Sequence, residues 1–100
     1  MNPYQRLAAA VILRAVRDMC VYGADNTTAP NAREHKHAVI WLISSRSSHW
    51  FDFAELSQSR ILHKTKWTDY AQELLKSSPL TDRQREVLTE GVAILREPDA

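Results

Sequence analysis

Glycine is the scarcest structural resource in this chain: two residues in 100, alongside four prolines. An all-β fold needs a turn every ten or so residues and draws on both residue types to make them. That supply is missing, so helices are expected. Gly23 and Gly91 are also far apart in sequence, which excludes a glycine-rich phosphate loop. Cysteine is nearly absent. Cys20 is alone, so no internal disulfide can form, which fits a reducing compartment. Long apolar runs are missing too: residues 7–13 and 38–43 are the longest, far short of the about 18 residues that suggest a membrane span. An excess of one charge is the last absence. The formal net charge is +1, short of the basic surplus of a dedicated nucleic-acid binder and equally far from a strongly acidic DNA mimic.

What remains is the composition of an ordinary globular protein, 44% hydrophobic and 25% charged. A chain of this length makes one domain and buries roughly 60–70% of its unfolded surface, enough for one core. The expectation is a single domain over residues 1–100, cytoplasmic and without membrane contact. Charge is unevenly spread: residues 33–66 carry a formal +3 and all four histidines, and residues 67–100 carry −3.

Helical spacing runs through the whole chain. Asn2 caps a first helix with Pro3 in its first turn. Tyr4, Ala8, Val11, Ile12, Ala15, Met19 and Tyr22 then recur at threes and fours on one face. Arg14 and Arg17 lie inside this pattern, so the stretch reads as an amphipathic helix and not a signal peptide. Gly23 is placed to end it, and residues 23–30 form a polar loop. Asn31 caps a second helix that starts hydrophilic and turns apolar through Ile43, entering the interior from one end. Ser48 caps a third helix to about Leu56, residues 57–59 interrupt, and Arg60 starts a further turn. Thr65 or Thr68 caps a helix with Trp67, Tyr70, Ala71, Leu74 and Leu75 on its stripe, closed by residues 77–79. The Thr81 to Gln84 spacing is that of a capping box. It opens a last helix whose buried face holds Val87, Leu88, Gly91, Val92 and Leu95, with Pro98 ending it. Gly91 in mid-helix costs about 1 kcal/mol relative to alanine, which points to close approach of a neighbouring helix. The fold class is therefore all-α: one compact domain of five or six short helices, orthogonally packed. Apolar and polar residues also alternate over Trp50–Phe53, which fits a short strand as the alternative.

Reaction chemistry is hard to find. His35 and His37 are two apart, and on a helix such residues point about 200° away from each other, so they make no zinc pair; solvated histidines at a helix start are expected. Cys20 lies among Met19, Val21 and Tyr22 and reads as a small buried hydrophobe, not a nucleophile. Asp52 and Glu55 read as surface neighbours on a helix. No catalytic residue, no metal ligand and no cofactor are expected, and the chain does not read as an enzyme.

Two binding readings compete. Arg46, His49 and Trp50 combine interface-type residues on a serine-rich joint between helices. Four serines around Arg46 leave it exposed for charge-assisted hydrogen bonds, and Arg33 and Lys36 add a basic face. These five are the candidate partner-binding residues. Phe51 and Phe53 are assigned to the core, while Trp50 fits core or interface equally. The second reading takes residues 51–56, a turn, and the basic residues 60–66 as the outline of a helix-turn-helix. Its nucleic-acid contacts would be Arg60, His63, Lys64 and Lys66. Gln58, Ser59 and Lys64 occupy positions where that motif favours glycine or apolar residues.

The step Trp41-Leu42-x-Ser44, followed by Phe51-x-Phe53, is similar to short proteins of temperate phages and prophages. These often pair a Trp-Leu helix with a Ser/Asp joint and a Phe-x-Phe helix start. The resemblance spans residues 41–53 and carries over no functional residue. It implies a small accessory protein that acts by binding; phage proteins of this size include transcriptional regulators and inhibitors of host defence, anti-CRISPR proteins among them. The expected function is binding to a host protein or nucleoprotein complex, with weak nucleic-acid contact at most, and inhibition of a defence system as its most concrete form. A small DNA-binding regulator is the alternative.

Overall fold

The first residues supply their own helix cap. The Asn2 side-chain oxygen accepts the Gln5 amide at 2.8 Å, and Gln5 Oε1 accepts the Asn2 amide at 3.2 Å. With Pro3 in the first turn, this reciprocal pair opens α1 (Pro3–Val21). The computed structural model describes residues 2–21, 29–77 and 79–95. The expected helix end at Gly23, the loop over 23–28, Tyr22, Ser78 and Pro98 lie outside the described residues. After α1 come α2 (Ala29–Ile43), one turn of 3-10 helix (Ser45–Ser47), α3 (Ser48–Phe53), α4 (Gln58–Leu62), α5 (Trp67–Ser77) and α6 (Asp82–Leu95). The protein is all-α, with six helices and no strand among the described residues. Trp50–Phe53 lies in α3, so the strand alternative is not formed.

Cap chemistry explains most of the boundaries and corrects three expectations. α2 starts at Ala29 with Pro30 in its first turn, two residues before the expected cap Asn31. Proline is at home there because its missing N–H has no helical partner to lose. Ser48 does not cap α3; its Oγ donates back to the Ser45 carbonyl at 2.6 Å. Residues 57–59 do not interrupt a helix but start one, because Ser57 Oγ accepts the Arg60 amide at 3.3 Å as the cap of α4. The remaining caps follow the sequence. Thr65 Oγ1 accepts the Trp67 amide at 3.2 Å. Thr81 and Gln84 exchange two bonds, at 3.0 and 3.1 Å, as the spacing requires.

α3 ends at about Phe53, short of Leu56, in a compact C-terminal motif. Leu56 N–H reaches the Phe51 carbonyl at 2.9 Å and Glu55 N–H the Asp52 carbonyl at 3.1 Å. Glu55, at φ 57°, takes the left-handed position that glycine usually fills. The chain has no glycine to place there, so glutamate bears the strain.

α1 and α2 pack along each other in opposite senses. His35 of α2 meets Met19 at the far end of α1, while α3, which follows α2, lies against Ala8 near the start of α1. α6 runs beside α2 in the same sense, with Lys36 bonded to the Pro79 carbonyl at one end and Ile43 against Gly91 at the other. A Cβ at Gly91 would overlap Ile43 Cγ2 and sit 3.2 Å from Ile43 Cβ. The missing side chain is what lets these helices touch. One core joins Ile12, Met19, Val39, Leu42, Phe51, Leu62, Trp67 and Leu88, all fully buried. The radius of gyration, 13.2 Å, agrees with about 13 Å for a compact body of 100 residues. Among the described residues no helix is long and apolar enough to cross a membrane.

Candidate partner-binding face

The serine joint is built from the carbonyls that the end of α2 leaves without helical partners. Ser44 Oγ donates to the Trp41 carbonyl at 2.9 Å. Ser47 Oγ lies within bonding distance of two carbonyls, Ser44 at 3.0 Å and Leu42 at 3.2 Å. The Gln58 side-chain amide, arriving from α4, donates to the Leu42 carbonyl at 2.6 Å and to Ser47 Oγ at 3.3 Å. Ser44 and Ser47 are therefore buried, while Ser45 and Arg46 are exposed. Small hydroxyl side chains fit against the helix end where longer polar ones would not. Their effect is to fix the backbone of the 3-10 turn, from which Arg46 projects as an exposed residue.

Beside this turn lies an apolar face made by α1 and α3. Tyr4 and Leu7 of α1 are 71% and 59% exposed, and Phe53 of α3 is 52% exposed. With Ala8, His49 and Trp50 they enclose a groove of about 300 Å³. Two expectations fail here. Tyr4 shares the spacing of the buried stripe, but α3 is only six residues long and leaves Tyr4 uncovered. Phe53 does not join Phe51 in the core, because two residues of helix turn the chain by about 200°. Phe51 is 1% exposed, so Phe53 has to point outward. Trp50 is exposed at 38%, its ring edge-on to Trp41 with centroids 6.4 Å apart. Of the candidate residues, His49 and Trp50 line this groove, whereas Arg46 lines another cavity. The sequence signal for Phe53 was its i, i+2 spacing from Phe51; Tyr4 and Leu7 carried none.

Behind Trp50, Trp41 forms a wall of a second cavity, of about 370 Å³, between α2, the 3-10 turn and α6. His37, Arg46 and Arg83 surround it. Arg83 did not stand out in the sequence because it lies in the acidic third of the chain. A neighbouring cavity of about 250 Å³ continues past Val87 to Ile94, with Glu90 on its rim.

The other candidates are dispersed. Arg33 is exposed one helical turn before His37, which puts it on the same edge of α2. Lys36 is half-buried and tied to Pro79, so it braces the α5–α6 connection. Arg60 lies on α4, whereas His63, Lys64 and Lys66 lie in the turn that follows. All four are exposed, but residues 60–66 do not form one recognition helix. His63 donates Nε2–H to the Leu95 carbonyl at 3.0 Å and stands edge-on to Trp67, a role in holding α6.

Two further readings are corrected. His35 is not solvated: it is buried, donates Nδ1–H to the Met19 carbonyl at 2.8 Å and packs edge-on against Tyr70. It thereby serves a carbonyl at the end of α1, while His37 is exposed. Cys20 is exposed on α1 and not part of the core. Partial desolvation pushes its thiol above the ordinary value, which holds it protonated and weakly nucleophilic at neutral pH. Among the described residues no group of three or more His, Cys, Asp or Glu is placed to hold a metal ion.

Compared with known proteins, the chain matches no family model, no curated protein and no solved structure.

Proposed function

We propose that this is a binding protein with no reaction of its own, which engages a host protein or nucleoprotein complex through the α1–α3 face. The observation that carries this reading is the apolar groove of Tyr4, Leu7, Trp50 and Phe53, with Arg46 exposed on the 3-10 turn that precedes α3. Single exposed apolar residues are ordinary, but four around one groove, three of them aromatic, match the make-up of protein interfaces. The serine turn supports it, since it holds Arg46 on a fixed backbone and so lowers the ordering cost of binding. Inhibition of a defence complex is the concrete form, supported by the resemblance of residues 41–53 to phage accessory proteins.

The test uses the protein immobilised and offered to lysates of bacteria that carry defence nucleases, with any retained complex purified and rebound. Trp50→Ala, Phe53→Ser and Arg46→Glu are each measured for rebinding and for melting temperature. Loss of a buried aromatic or arginine anchor costs about 2 kcal/mol or more in affinity, so each variant should rebind at least about thirtyfold more weakly. Melting temperatures of the Phe53 and Arg46 variants should stay close to wild type, because both residues are exposed. Unfolding by Trp50→Ala together with undiminished rebinding of the other two would place the binding surface elsewhere.

A further inference from the structure

We propose that the groove between α2 and α6 holds an acidic–apolar peptide segment of the partner, its carboxylate between Arg46 and Arg83 and its apolar side chains over Val87 and Ile94. This rests on the reading above that the partner is, or contains, a protein. Helical spacing builds the groove. His37 and Trp41 follow one edge of α2, with Ser44 just past its end, and Arg83, Val87 and Ile94 follow one edge of α6. The two cavities share Ser44, Ser45, Arg83 and Val87 as walls, so they adjoin along α6. From Arg83 to Ile94 the helix rises about 16 Å, the length of about five extended residues.

Charge sets the occupant and its direction. Arg46 makes no hydrogen bond or ion pair among the described residues. Among the described residues Arg83 is held only by Glu86, at 3.8 Å between exposed side chains, a contact worth little. Both guanidinium groups are free to take a carboxylate, which arginine binds in two-pronged fashion. The far end is apolar at Val87 and Ile94, the latter 75% exposed. A nucleic-acid strand fits less well: its phosphates would meet Glu90 beside Val87 and Ile94. A segment with one acidic residue followed by apolar ones avoids it. Glu90 beside the apolar end also repels the reverse orientation.

The probe is a six-residue synthetic peptide, blocked at both ends, with one glutamate followed by two leucines, titrated into the full chain by NMR. Binding should shift the Trp41 indole, the Arg46 and Arg83 guanidinium groups and the Ile94 methyls. A charged hydrogen bond contributes about 1.5–3 kcal/mol, so a glutamine counterpart, or the variant Arg46→Glu or Arg83→Glu, should bind at least about tenfold more weakly. Equal binding of the glutamate and glutamine peptides overturns the proposal. So do shifts produced by inorganic phosphate but not by the peptide, and so does tighter binding of a short oligothymidylate to the same residues. Phe53→Ser should leave peptide binding unchanged, which separates the two readings. Peptide failure with Phe53-dependent capture intact removes only this inference. Peptide binding intact with capture indifferent to Trp50 and Phe53 removes only the α1–α3 face.

Discussion

At Gly91 two opposing effects act on one position. Alanine would gain about 1 kcal/mol of helix propensity, yet its methyl would occupy the space of Ile43 Cγ2. Ile43 is buried, and β-branching leaves it one strongly preferred rotamer in a helix. It cannot swing aside, and its carbonyl oxygen lies 3.4 Å from the same point. Overpacking of this kind costs about 1–3 kcal/mol and should outweigh the propensity gain. Gly91→Ala is therefore expected to lower stability by up to about 2 kcal/mol, a fall of as much as several degrees in melting temperature for a domain this size. In an Ile43→Ala background the same change should cost little or become favourable, a coupling that a double-mutant cycle measures. A higher melting temperature for Gly91→Ala alone would mean that α2 and α6 do not touch there. The close approach was legible in the sequence, since glycine in mid-helix needs a reason. His35 was not: nothing local shows that its partner is a carbonyl 16 residues earlier.

At the scale of elements, the end of α2 depends on side chains that the helix itself does not own. Ser47 is fully buried and, with Gln58, serves the Leu42 and Ser44 carbonyls. Removing either donor leaves a buried carbonyl poorly satisfied, at about 1–3 kcal/mol. Ser47→Ala and Gln58→Ala should each lower stability by that order. The double variant should cost clearly less than the two added together, because both act on one network. Denaturant unfolding reads this as a shift of midpoint at constant slope; strict additivity would show two independent contacts. The local caps were legible because their partners sit three residues away, as at Asn2 and Gln5 or Thr81 and Gln84. The Gln58 to Leu42 bond joins two helices, so serine spacing suggested an exposed joint where the structure has a partly buried one. The same limit hid the candidate face: His49 and Trp50 are neighbours in sequence, but Tyr4 and Leu7 join them only through packing of α1 against α3.

For the whole molecule, the small net charge and the mixed character of the face lead to one measurable behaviour. On the proposed reading, Arg46 and Arg83 would supply long-range attraction to an acidic partner, and Tyr4, Leu7, Trp50 and Phe53 short-range burial. Raising salt from 0.1 to 1 M shortens the screening length from about 10 Å to about 3 Å. Steering by the two arginines should then fade, and association with the purified partner should slow by several-fold to about tenfold. Dissociation should change far less, because apolar contacts are not screened. Binding to duplex DNA would behave otherwise: each neutralised phosphate adds about 0.9 to the slope of log affinity against log salt, so six contacts would reduce affinity by more than about 10⁵-fold over this range. With formal charge +1 spread over 100 residues, and with Arg60 on α4 apart from Lys64 and Lys66 in the following turn, the shallow dependence is expected. Surface plasmon resonance at four or five salt concentrations separates the two rates directly. A steep slope carried by faster dissociation, and relieved by Arg60→Ala, would turn the assignment toward nucleic acid.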